Sequence, residues 1–169
     1  MAYQLKVEGM TEIGEMLSKM GDAAPGVASK ALYDGAGLMA DALNKGAEGI
    51  RTAPFEWASE TRGETRLPSP EEKEIVMAAA AGIAKFNKNG TEVDTSVGFR
   101  NAGYAQLKKK MVPIPKIVNA INSGTSFMKK QPFVRKSARA AEPKVLKAMQ
   151  ECIEAEFEAI GKEYTATMK

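Results

Sequence analysis

Apolar positions along the chain switch between a helical and an alternating period, and the switches predict the elements. Tyr3-Gln4-Leu5-Lys6-Val7 alternates apolar and polar side chains and Glu8-Gly9 ends it, which predicts a short strand. Met10, Ile13, Leu17 and Met20 then recur at helical spacing, with Thr11 as a candidate N-cap and Gly21 as the stop. Pro25 is a good first-turn residue. From it, the rows Val27, Ala31, Leu38, Ala42 and Ala28, Leu32, Met39, Leu43 predict a long helix to about Ala47. Gly35, Gly37 and Gly46 lower its propensity, a cost tolerated where helix backbones approach closely.

Arg51 to Pro68 has no clear period and carries Pro54, Gly63 and Pro68, so it reads as a long loop holding Phe55 and Trp57. Ser69-Pro70-Glu71-Glu72 combines a capping serine, a first-turn proline and a capping-box glutamate, and opens a helix with Ile75, Val76, Ala79 and Ala80 on one side. Ile83 to Phe86 and Thr91 to Phe99 read as strands joined by Asn87-Lys88-Asn89-Gly90. Tyr104 to Val112 reads as a basic arm or a further strand. Pro113 and Pro115 bound an extended piece that runs into a short helix over Lys116 to Asn122. A last helix starts near Pro132, with Leu146, Met149, Ile153, Phe157, Ile160 and Tyr164 as its expected core stripe. The expected fold is a single α+β domain over residues 1–169. A long helix in the N-terminal half and a long C-terminal helix pack on a small, mostly antiparallel sheet, with mobile loops at 51–68 and 101–115.

Composition narrows the chemistry. With no histidine, the chain lacks the commonest metal ligand and the usual general base near neutral pH, and the single cysteine, Cys152, forms no intrachain disulfide or Cys cluster. No cofactor, metal or catalytic residue is expected, and Cys152 is expected to pack as a small apolar residue. The N-terminus lacks a signal-peptide pattern and no apolar run is long enough to span a bilayer, so no membrane role is expected. A net charge of +3 hides segregation: residues 95–141 hold ten basic side chains and no acidic one, leaving 14 basic against 21 acidic elsewhere. Such a block suits a DNA-facing surface, a solvated face, or docking onto the acidic part of a neighbouring copy.

One stretch adds a family-level clue. Gly124-Thr125-Ser126 leads through Phe127-Met128-Lys129-Lys130 to Gln131-Pro132-Phe133-Val134-Arg135-Lys136-Ser137-Ala138. It is not a phosphate-binding loop, because the glycine spacing and the Gly-Lys-Ser/Thr ending are absent. The order of turn, basic spacer, Pro-Phe step and basic-alanine helix start resembles the tail-completion, or neck, proteins of long-tailed bacteriophages over residues 117–141. Members of that family usually carry an acidic residue just before the Gly-Thr pair, where this chain has Asn122-Ser123.

The resemblance implies a non-enzymatic structural protein of the virion, at the head–tail junction or upper tail, made in the host cytoplasm. It implies a ring homo-oligomer, a hexamer or dodecamer, that meets head-completion or connector proteins and tail-tube or tail-terminator proteins while non-specific duplex DNA passes through. Gly124, Thr125, Lys129, Lys130, Pro132, Phe133 and Arg135 are the expected assembly surface, and Lys108, Lys109 and Lys110 the expected DNA-facing residues. The alternatives are a tail terminator capping the tail tube and, in a different class, a host DNA-binding accessory protein.

Overall fold

A computed structural model of the chain describes residues 10–53, 65–89, 92–99, 103–107 and 109–167. The strand expected at Tyr3 to Val7 and the aromatics Phe55 and Trp57 lie outside these residues. The class is α+β: the described residues form four helices, two of them long, and small antiparallel two-stranded ladders.

Helix α1 runs unbroken over Met10–Glu48, through both Gly21 and Pro25, where a stop and a fresh start were expected. An interior proline costs about 3 kcal/mol relative to alanine because it removes one N–H and crowds the carbonyl four residues back. That carbonyl belongs to Gly21. Packing on both sides offsets the loss: Val27 is buried, and Met20 approaches Gly161 of the last helix. The Ser29 hydroxyl also donates to the Pro25 carbonyl at 2.7 Å.

Helix α4, Phe133–Thr167, returns antiparallel along α1. Small residues set how closely the two approach. A Cβ at Gly46 would fall 1.9 Å from the Ser137 hydroxyl oxygen, and one at Gly35 would fall 2.7 Å from the Met149 sulfur. Further out, Lys30 of α1 pairs with Glu156 of α4.

Helix α2, Pro70–Ala79, starts as expected with Ser69 as N-cap and a complete capping box through Glu72. Strands β1, Gly82–Ile83, and β4, Val97–Gly98, form one ladder, and β2, Asn87–Asn89, and β3, Glu92–Asp94, form a second inside it. Asn87, Lys88 and Asn89, expected in the turn, are therefore strand residues. Lys85 and Phe86 together face Thr95, a bulge between the ladders, and it brings Phe86 against Tyr33 of α1 with ring centroids 6.3 Å apart. A third ladder joins β5, Tyr104–Leu107, to β6, Lys110–Pro113. Strand β6 runs directly into helix α3, Ile114–Ser123, which takes Pro115 into its first turn.

The continuous core lies at one end of the long helices. Leu43, Ala47 and Ile50 meet Val76 of α2, Phe99, Ile114, Ile117, Val118 and Ile121 of α3, Met128, and Phe133 at the start of α4. Val76 and Ile121 are fully enclosed. We call this end the head, and the outer parts of α1 and α4 the arm.

The arm corrects the expected core stripe. Leu146 is 58% exposed and Met149, Ile153, Phe157 and Ile160 are only half-buried; the side chain of Tyr164 lies outside the description. The reason is helical geometry. Val145, Met149 and Glu156 turn toward α1, whereas Leu146, Ile153 and Phe157 lie to one side of that line, where no third element among the described residues covers them.

Candidate assembly surface around the Gly124 turn

The expected interface residues form the connection between α3 and α4, and local hydrogen bonds fix its shape. Gly124 ends α3 with φ 78°, a backbone angle that disfavours L side chains, and its N–H donates to the Ala120 carbonyl at 2.9 Å. A Cβ there would also lie 3.0 Å from the Lys130 Cβ. The Thr125 hydroxyl oxygen accepts from the N–H of Met128 at 3.0 Å and of Phe127 at 3.3 Å, while the Thr125 N–H donates to the Met128 carbonyl at 2.9 Å. Asn122, where the resembled family usually has an acid nearby, accepts from the Val134 N–H at 3.2 Å and so caps α4.

The turn is tied to the head at two places. Arg66 makes a parallel β-bridge to Met128: its N–H donates to the Phe127 carbonyl at 2.9 Å, and its carbonyl accepts from the Lys129 N–H at 2.8 Å. Gln131 closes a two-point clamp on the backbone of Arg51, just past α1, at 2.8 and 2.9 Å. Underneath, Met128 is buried, and Phe133 packs edge-on against Phe99 with centroids 6.1 Å apart.

These contacts divide the expected residues by role. Phe133 is a core residue, Pro132 is half-buried, and Gly124 and Thr125 shape the turn. Lys129, Lys130 and Arg135 project as exposed cations beside Phe127, which is 59% exposed. Phe127 had no predicted role, although its place inside a basic spacer was a usable signal. Lys130 and Lys136 also line a shallow cleft of about 300 Å³ with Arg51, at the point where α1 ends against α4.

Of the expected DNA-facing residues, Lys108 lies outside the described residues. Lys109 and Lys110 are exposed at the β5–β6 turn and rim a cleft of about 570 Å³ lined also by Leu107, Val112, Arg66 and Glu72. In its wall is a largely buried ion pair that sequence reading missed: both terminal nitrogens of the Arg66 guanidinium donate to the Glu72 carboxylate at 2.6 Å. Burial works to raise the Glu72 pKa, but Arg66 and the Ser69 N–H, 2.8 Å away, outweigh it and hold the carboxyl below its ordinary value. Arg66 sat in a segment without periodicity, so only the Ser69-to-Glu72 capping box hinted at this arrangement.

Cys152 faces α1 half-buried, and its thiol pKa is raised by burial and by the Asp34 carboxylate, so it stays protonated at neutral pH. Among the described residues there is no group of three or more Cys, Asp or Glu placed to hold a metal ion, and no helix is long and apolar enough to cross a membrane. Comparison with protein-family models, with curated proteins and with solved structures finds no match. The phage resemblance therefore rests on the residues of the 117–141 stretch.

Proposed function

We propose that this chain is a non-enzymatic structural component of a bacteriophage virion, a tail-completion or neck protein that assembles with itself into a ring around passing DNA. One observation carries the reading. The motif residues Gly124 to Arg135 form a turn pinned by Arg66, Gln131 and Thr125, which holds Phe127, Lys129 and Lys130 outward on a fixed backbone. A preordered apolar and cationic surface suits protein assembly, because little conformational freedom remains to be lost on docking. Lys109 and Lys110, on a separate hairpin turn, supply exposed charge for non-specific phosphate contact.

The test is solution mass with and without duplex DNA. The purified protein should form a closed oligomer, and Lys109→Glu with Lys110→Glu should leave that mass unchanged while weakening salt-dependent DNA retention. Tight duplex binding by a protein that stays monomeric would instead favour a DNA-binding accessory protein.

A further inference from the structure

The arm and the Gly124 turn are complementary in two independent ways. Along the outer part of α4, exposed Leu146 begins an apolar ridge continued by half-buried Ile153 and Phe157. Residues 151–163 beside it hold Glu151, Glu154, Glu156, Glu158 and Glu163 against one cation, Lys162. Of these, Glu151, Glu154, Glu158 and Glu163 are exposed, with Glu151 and Glu158 also paired to Lys147 and Lys162 of the same helix. The turn inverts this pattern: exposed Phe127 stands beside Lys129 and Lys130, in a block with no acidic residue from 95 to 141.

One chain cannot join these surfaces. The turn precedes α4, and the ridge lies about 20 to 36 Å further along that helix, from Leu146 to Phe157. A second copy can. An apolar ridge bordered by carboxylates, set against an apolar residue bordered by ammonium groups, gains from burial of the ridge and from complementary charge that selects the partner.

We infer that the outer face of α4, centred on Leu146, Ile153 and Phe157 with Glu154 and Glu158, docks head-to-tail on the Phe127, Lys129 and Lys130 turn of the next copy. This deepens the ring reading and rests on it. The contact is heterologous, so repetition of it closes a ring if the rotation allows and otherwise extends a filament. The β5–β6 hairpin also exposes Tyr104 and Met111 beside Lys109. The Gly124 turn is preferred because its backbone is pinned on both sides by Arg66 and Gln131.

The decisive experiment is a charge swap in the full chain, read by sedimentation at low salt. Glu154→Lys with Glu158→Lys should raise the concentration needed for assembly about tenfold or more, and so should Lys129→Glu with Lys130→Glu. Circular dichroism checks that both variants remain helical. Mixing the two should restore assembly, because each reversed arm then meets a reversed turn. Retained assembly by either variant alone, or failure of the folded mixture to recover, overturns the docking assignment while leaving the ring reading intact. So does loss of assembly in Lys109→Glu with Lys110→Glu. A wild-type protein that stays monomeric at all concentrations and salts overturns both.

Discussion

The head and the arm use the same two helices to opposite ends. In the head, α1 and α4 are two walls of a many-sided core, in which Ile121 and Val76 are fully enclosed and even the polar Ser69 and Glu72 are buried with partners. In the arm, among the described residues, the helices pack mainly on each other, with Phe86 of the β-ladders against Tyr33, and the buried apolar residues outside the head core are Val27, Ala31, Ala36 and Val145. Folding of the monomer therefore depends on the head, while the arm carries apolar surface that the monomer does not bury.

The largest effect should come from the centre of the head. Ile121→Ala removes a fully enclosed side chain and should lower unfolding free energy by about 4 kcal/mol in urea titration, because the surrounding helices collapse only partly into the space. A loss below ~1 kcal/mol would erase the distinction between the two regions.

The Arg66–Glu72 pair should come next. Glu72→Gln leaves the largely buried guanidinium without its counter-charge and should cost ~2 kcal/mol near neutral pH. The sign with pH follows from a lowered folded pKa. The gap between wild type and variant is complete above the unfolded carboxyl value of about 4.3 and closes as pH falls through the lower folded value. Urea titrations of both proteins at falling pH check this, and a gap that widened in acid would reverse the assignment.

The smallest effect belongs to the arm. Leu146→Ala should change monomer stability by less than ~0.5 kcal/mol, since the side chain is already in water. It should nonetheless weaken self-association, which sedimentation across a concentration series would show.

How much was legible in the sequence varies with the reach of the interactions. Ser69, Pro70 and Glu72 announced the start of α2 because capping is a contact between near neighbours, and Gly124 announced a backbone angle that its own residue type permits. Gly21 and Pro25 misled for the complementary reason: both are local signals, and the interface with α4 outweighed them. Asn87 to Asn89 were expected as turn and form strand, because register depends on which side chains find partners across the ladder and on α1.

By itself, the sequence determined the α+β class, the long helix of each half, the absence of histidine chemistry and the segregation of basic from acidic segments. Each follows from composition or from periods that neighbouring residues impose on one another. Only the tertiary structure decided that α1 is continuous, that Arg66 crosses to both Glu72 and the Met128 backbone, and that Phe133 faces inward while Phe127 faces out. It also decided that the regular apolar stripe of α4 is left half open. Periodicity gives the angle between side chains on one helix, but whether a neighbour stands at that angle depends on how the rest of the chain packs.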